Sequence, residues 1–168
     1  VWNRGANDSE RFVDERPGEY AEVVLYPRLA VYDQFDPGLT ILENFLNGKG
    51  KGKSDDFEWA IATLIAIAGF QVQWPGYLHG TAKKEVDIVA FLPESKQVFL
   101  VECTLARGDI QRKITGVVEI AQDLATILKT ATIGKVIATT LRTSSVNPSD
   151  SQDAGRLGVS LLTQERLR

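Results

Sequence analysis

KKEVDIVAFLPESKQVFLVECTLARGD, from Lys83 to Asp109, is the stretch that decides the predicted fold. Two runs rich in valine, isoleucine and phenylalanine flank a short polar segment, a pattern typical of a β-hairpin. Each run carries one acid among apolar residues, Asp87 in VDIVAFL and Glu102 in VFLVECTL. The sequence therefore predicts two neighbouring strands with one carboxylate in each.

The register of this hairpin brings the two acids together. If Glu94 and Ser95 are the central turn residues, Asp87 lies directly opposite Glu102, and a turn centred one residue away leaves them neighbours. Like charges that face each other across strands are destabilising, and partial burial raises the cost. A shared proton or a divalent cation relieves the repulsion, and Mg²⁺ accepts one or two protein carboxylates. The cation accounts for both acids at once.

Side-chain alternation predicts what lies behind the acids. Successive side chains of a strand point to opposite faces of a sheet. We expect Val86 and Ile88 on the face opposite Asp87. Cys103 is expected on the face opposite Glu102, as a small core residue.

Helices and further strands are predicted around the hairpin. An almost wholly apolar helix precedes it, with Asp55 as its cap and Gly69 at its end, and this helix is expected to be buried. A second helix follows, with Ile110, Ile114 and Val117 on its apolar face. Strands are predicted over 70–74, 135–140 and 158–163, with a Ser/Asn/Pro-rich loop before the last. The order α-β-β-β-α-β plus a final strand predicts an α/β fold with a mixed sheet.

The N-terminal part has a different pattern. Residues 21–35 read as two short β-type runs broken at Pro27. Asp36-Pro37 is a helix start, and this helix ends at Gly48. Alternating glycine and lysine over 47–54 is typical of a flexible linker. The predicted division is an N-terminal extension or part of a preceding domain (1–47), a Gly/Lys linker (48–54) and a main domain (55–168).

Composition narrows the function classes. The 168 residues are 43% hydrophobic, and the longest apolar run is too short to cross a bilayer. No signal peptide is expected. The single cysteine excludes an internal disulfide and suits a reducing cytoplasm, while one histidine and one cysteine exclude a His/Cys zinc cluster. The sequence has no methionine, which suggests a fragment or a processed N-terminus.

Charge gives a mixed indication. The formal net charge of −3 does not indicate a nucleic-acid-binding protein. Cationic residues nevertheless gather near the hairpin and the neighbouring helices, and each of them is also compatible with an ordinary solvated surface. They are Lys49, Lys51, Lys53, Lys83, Lys84, Arg107, Arg112 and Lys113.

The acids and their placement in this order of elements resemble the restriction-endonuclease-like PD-(D/E)XK nuclease superfamily over residues 55 to about 165. The resemblance implies a restriction-endonuclease-like sheet and a Mg²⁺ site, with Mn²⁺ also accepted. It implies that Asp87, Glu102 and the main-chain carbonyl of Cys103 hold the metal. Glu58 would be the accessory acid found in many members, although its spacing from Asp55 also fits a helix-capping pair.

Two departures from the family motif are visible. Val86 stands where the family often has proline, and Thr104 replaces the motif lysine. Threonine can hydrogen-bond a water molecule but supplies no charge. Lys113, on the helix after the hairpin, or Lys84 could replace the lysine, while a surface position for Lys113 is an equally open alternative.

The resemblance implies an endonuclease that hydrolyses phosphodiester bonds in DNA in restriction, repair or defence. The alternatives are an inactive nuclease-like module that binds DNA or protein, and a purely structural domain. Expected partners are DNA, a second copy and other domains of a longer chain, without a membrane. His79 is expected at the surface. The predicted catalytic residues are Glu58, Asp87, Glu102, Thr104 and Lys113, and the predicted nucleic-acid contacts are Lys83, Lys84, Arg107, Gln111 and Arg112.

Overall fold

The computed structural model describes residues 25–74, 86–92, 95–129 and 131–167. Within these ranges the chain forms five α-helices, five strands and short 3₁₀ turns. The helices are α1 (Tyr26–Asp33), α2 (Thr40–Leu46), α3 (Ser54–Ile67), α4 (Ile110–Ile127) and α5 (Pro148–Arg156). The strands are β1 (Gln71–Gln73), β2 (Ile88–Leu92), β3 (Gln97–Thr104), β4 (Thr132–Thr139) and β5 (Val159–Leu162).

The described strands form one mixed sheet in the spatial order β1-β2-β3-β4-β5. β1, β2 and β3 pair antiparallel, whereas β3, β4 and β5 pair parallel. Parallel neighbours need a crossover connection, and α4 and α5 provide the two that are required. The predicted α/β architecture with a mixed sheet is therefore confirmed.

The hairpin has the predicted register. Ile88 pairs with Val101, and Leu92 pairs with Gln97 at the far end. The same register places Asp87, one residue before the first pair, opposite the residue after Val101. Both faces of β3 are covered, by α4 on one side and α3 on the other, so the register follows from the position of the turn and not from a single buried face.

The alternation expected at the start of this arm is wrong for Val86. Val86 packs with Leu100 in the apolar cluster beneath α4, whereas Ile88 packs with Val101 beneath α3. The chain bends at Asp87, and β2 begins only at Ile88. A bend just outside the ladder interrupts the two-residue period, so Val86 is not on the face of Ile88.

Helix α3 is buried from two sides, as its apolar sequence predicted. Phe57 and Ile61 pack against the sheet, while Ala60 and Ile67 pack against α1 and α2. Trp59 meets the ring of Tyr32 on this outer side at a centroid distance of 6.2 Å. α4 and α5 cover the opposite face of the sheet.

The ends of α3 match the prediction at one side only. The helix begins at Ser54, so Asp55 lies in its first turn rather than at the cap. At the other end Gly69 has φ 101°, its amide donates to the Ala66 carbonyl at 3.0 Å, and the Phe70 amide donates to the Ile65 carbonyl at 3.2 Å. This pair of bonds is the Schellman arrangement that glycine permits, and Gly69 closes the helix as expected.

Two segments differ from their predicted structure. The predicted β-type runs are wrong for the described residues 25–35, because Tyr26–Asp33 is helical with Pro27 in the first turn, where proline is tolerated. The predicted loop before β5 contains α5, which Pro148 begins. The β-type residues of 25–35 and the polar residues before β5 do not reveal which elements these segments pack against, and that packing decides their conformation.

The helix signal at Asp36 precedes a 3₁₀ turn over Pro37–Leu39, and α2 begins only at Thr40. The Asp36 carboxylate accepts hydrogen bonds from the amides of Ile41 and Leu42, both at 2.9 Å. Residues 47–53 connect α2 to α3, and the division of the chain into domains stays a prediction. No helix in the described ranges is both long and apolar enough to cross a bilayer.

We expect Gly134→Ala to destabilise the protein. Gly134 pairs with Phe99 across β3 and β4, and a Cβ atom at 134 would lie 2.5 Å from Phe99 Cδ1. The clash should lower the free energy of unfolding by about 1–3 kcal/mol in urea titrations. Gly116→Ala in α4 is the matched control, because a Cβ there meets nothing within 4 Å, and it should stabilise by about 0.5–1 kcal/mol. Equal effects of the two changes would contradict this account.

Candidate active site

Two carboxylates and one ammonium group meet where β3 ends and α4 begins. Asp87 lies at the bend before β2, Glu102 lies near the end of β3, and Lys113 lies in the first turn of α4. The Nζ atom of Lys113 donates to Asp87 Oδ2 at 2.8 Å and also to Glu102 Oε2. The two acids therefore converge on one cationic group rather than diverging to opposite faces.

This cluster is largely removed from solvent. The side chains of Lys113, Asp87 and Glu102 are 17%, 18% and 7% exposed. Charge interactions are stronger in such surroundings than in water, and an unpaired charge is costly. The ammonium group thus offsets repulsion that the two acids would otherwise exert on each other.

A main-chain group fixes the Asp87 carboxylate. The amide of Cys103 donates to Asp87 Oδ2 at 2.7 Å. The Cys103 side chain points away into the cluster beneath α3 and is buried, which confirms its expected place in the core. Asp87 is consequently oriented by the backbone of the strand that carries Glu102.

Burial and repulsion shift the protonation of Glu102. Removal from water, followed by the nearby charge of Asp87, raises the pKa of Glu102 to about 7, although Lys113 opposes the shift. Burial alone would lower the pKa of Lys113, but its hydrogen bonds to Asp87 and Glu102 outweigh burial, and the pKa is raised. Glu102 therefore exchanges a proton near neutral pH while Lys113 stays charged.

Glu58 approaches the cluster from α3. Its carboxylate accepts hydrogen bonds from Trp74 Nε1 and Ser54 Oγ, each at 3.2 Å. Burial, and then the charge of Asp87, raise the pKa of Glu58. The residue at the helix start that contacts Glu58 is thus Ser54 and not Asp55. Glu58 also lies close enough to Asp87 for the two charges to interact.

Thr104 has a local role at the end of β3. Its hydroxyl accepts a hydrogen bond from the Ala106 amide at 3.1 Å and lies 3.2 Å from the Ala106 carbonyl oxygen. The hydroxyl thus closes the turn that leads toward α4. The donor that faces both acids is Lys113, one of the two lysines predicted to replace the motif lysine.

Two residues predicted to contact nucleic acid, Arg107 and Gln111, bond to residues at α5. Arg107 Nε donates to Asn147 Oδ1 at 2.8 Å, and Gln111 Nε2 donates to Asp153 Oδ2 at 3.0 Å. These bonds join the start of α4 to α5 and its cap. Sequence reasoning missed Asn147 and Asp153, because nothing local marks a partner some forty residues away.

The other predicted nucleic-acid contacts have varied positions. Arg112 is exposed and pairs with Asp109 at 3.4 Å. Lys83 and Lys84, like His79, lie outside the described residues.

The donor set suits a hard cation. Asp87 and Glu102 already direct oxygens to one positive group, and the Cys103 carbonyl belongs to the same stretch of β3. In the described ranges no three His, Cys, Asp or Glu side chains gather as a metal-binding group. Mg²⁺ tolerates this, because it commonly uses one or two carboxylates and retains water.

Comparison with models of known protein families found no match, and comparison with curated proteins found none. The arrangement of Asp87, Glu102 and Lys113 is therefore the basis on which a function can be proposed.

We expect Glu102→Gln to stabilise the fold increasingly as pH rises. The folded state holds the Glu102 proton up to about pH 7, above its ordinary pKa of 4.5, so wild-type stability falls between these values. The variant lacks this loss. Above pH 7 its free energy of unfolding, measured in urea, should exceed that of the wild type by about 1–3 kcal/mol. Glu43→Gln, at an exposed site on α2, is the control. A gain for Glu102→Gln that is equal at all pH values would refute the burial argument.

Proposed function

We propose that this chain is a Mg²⁺-dependent endonuclease that hydrolyses phosphodiester bonds in DNA, with Mn²⁺ as an alternative metal. The observation that carries the proposal is the convergence of Asp87 and Glu102 on the ammonium group of Lys113. The order α3-β1-β2-β3-α4-β4 supports a restriction-endonuclease-like core. A role in restriction, repair or defence is compatible with this chemistry.

The acids have the roles of metal ligands in this proposal. Asp87 and Glu102 would hold Mg²⁺ together with the carbonyl of Cys103, and a bound Mg²⁺ supplies Lewis acidity toward water and phosphate oxygens. The Cys103 amide keeps Asp87 turned toward Glu102. The ligand atoms are therefore arranged before a substrate arrives, which lowers the cost of forming the site.

Lys113 supplies what Thr104 lacks. Its ammonium group is a charged donor next to both acids, so it can orient the attacking water and offset negative charge that develops on the phosphate. Glu58 lies within electrostatic reach of Asp87 and is the accessory acid. Thr104 contributes by closing the turn toward α4.

A second candidate is an inactive nuclease-like module that binds DNA or a partner protein. Two observations favour it: the motif lysine is replaced by Thr104, and in the described part of the chain no third acidic ligand joins the pair. This module would retard DNA in a gel without cutting it.

The state of the cysteine indicates the cellular setting of the chain. The single cysteine, Cys103, is buried and unpaired, which suits a reducing compartment such as the cytoplasm. DNA is the proposed partner. Assembly into a homodimer and attachment to further domains stay predictions.

Plasmid nicking in Mg²⁺ tests the roles of the acids and the lysine separately. Asp87→Ala and Glu102→Ala should abolish both nicking and Mn²⁺ binding. Lys113→Ala should lower the nicking rate by about 10²–10³-fold without weakening Mn²⁺ binding, because it removes a competing cation and not a ligand. Lys129→Ala, an exposed lysine beyond α4, is the control. Wild-type protein that retards DNA without nicking it would favour the inactive module.

The nicking rate should also depend on pH. At subsaturating Mg²⁺ the rate should fall about tenfold per pH unit below about pH 7, because protonated Glu102 cannot act as a ligand. Saturating Mg²⁺ should move this profile to lower pH, since metal competes with the proton. A profile that is flat across neutral pH would remove Glu102 from the metal site.

A further inference from the structure

The segment between α2 and α3 carries an unusual concentration of positive charge. Residues 48–53, here named the lysine loop, alternate glycine with Lys49, Lys51 and Lys53. All three lysines are exposed. The proposed chemistry of the acid pair makes no use of them.

The beginning of this loop lies against the end of the sheet that carries the acids. A Cβ atom at Gly48 would lie 3.5 Å from Thr140 Cγ2 and 3.7 Å from Leu105 Cδ2. Leu105 directly follows β3, and Thr140 directly follows β4, so the contact is at the carboxyl ends of both strands. Asn47 adds a tether, because its Oδ1 accepts from Gln164 Nε2 at 3.1 Å.

The other end of the lysine loop also leads to the site. It continues directly into α3, whose first turns carry Ser54 and Glu58. Glu58 contacts Ser54 and senses the charge of Asp87. The loop therefore connects the carboxyl ends of β3 and β4 to the start of α3, at the same edge of the sheet as Glu102.

The loop is held in a defined path. The Gly52 amide donates to Asp56 Oδ2 at 2.8 Å, and a Cβ atom at Gly50 would lie only 2.0 Å from that same oxygen. Lys53 has φ 44°, a value that side-chain-bearing residues rarely adopt. Asp56 thus draws the glycine backbone inward, which leaves the lysine side chains on the outer surface.

The lysine charges are uncommitted within the described ranges, where no ion pair involves Lys49, Lys51 or Lys53. Of the two acids that follow, Asp56 is engaged by the Gly52 amide, and Asp55 is exposed. Exposed lysines with extended side chains neutralise phosphates and release counterions when DNA binds. Contacts of this kind position a duplex without reading its sequence.

We propose that the lysine loop binds the phosphate backbone of duplex DNA and holds it beside Asp87 and Glu102. The choice of DNA rests on the proposed function, whereas the place of contact rests on the path of the loop. Binding at this surface is independent of base sequence and strongly dependent on salt.

Fluorescence anisotropy with a labelled DNA duplex in EDTA tests the loop without cleavage. Lys49→Ala/Lys51→Ala removes two charges from the loop. Lys96→Ala/Lys129→Ala removes two exposed lysines beyond the opposite end of the sheet, with the same change in net charge. Two lost phosphate contacts should lower the slope of log affinity against log salt by about 2. Between about 50 and 200 mM salt, wild-type affinity should thus fall about tenfold more than that of the loop variant.

The far-end variant should keep the wild-type slope. Equal losses of salt slope in the two double variants would overturn the loop assignment. Absence of DNA binding by the wild type would also overturn it. So would loop-dependent binding to anionic vesicles in the absence of DNA binding. Plasmid nicking in Mg²⁺ distinguishes failure of the loop assignment from failure of the proposed nuclease function. Loop-dependent binding without nicking would leave the lysine loop as the DNA contact of an inactive module. Nicking that is equally salt-sensitive in wild type and loop variant would reject the loop and retain the nuclease.

Discussion

The contact of one ammonium group with two carboxylates is the interaction on which the candidate site depends. Asp87 and Glu102 are brought together by the pairing of β2 and β3, and without a cation they would repel each other in a largely buried place. Lys113 offsets that repulsion and fastens the start of α4 to the hairpin. Truncation of one partner in such a cluster leaves an uncompensated charge, which is generally more costly than loss of the bond itself.

The layers of the fold determine which groups can reach this cluster. α4 lies on one face of the sheet and supplies Lys113, while α3 lies on the other and brings Glu58 near the ends of the strands. β3 is central, so its carboxyl end is covered by elements from both faces. Clefts at the carboxyl ends of strands are common places for ligands in open α/β sheets, because several loops meet there.

Local patterns were informative where turn residues or apolar runs in the sequence specify the element. The hairpin register, the closure of α3 by Gly69 and the burial of Cys103 all follow from periodicity or turn chemistry. Prediction failed where a partner from elsewhere decides the conformation. Residues 25–35 have β-type composition, yet α1 forms because its apolar side packs on α3. α5 forms where the sequence predicts a polar loop, because Ala154 packs into the apolar cluster beneath α4.

The sequence by itself determined that two apolar arms pair as a hairpin with Asp87 and Glu102 as neighbours, because the short polar segment between the arms limits the register. Tertiary structure alone decided that Lys113 faces both acids, since its side chain could equally have pointed to solvent from an amphipathic helix. It also decided the bonds of Arg107 to Asn147 and Gln111 to α5. Pairing within a hairpin is encoded over neighbouring residues, whereas the approach of a helix to a sheet depends on packing over the whole core.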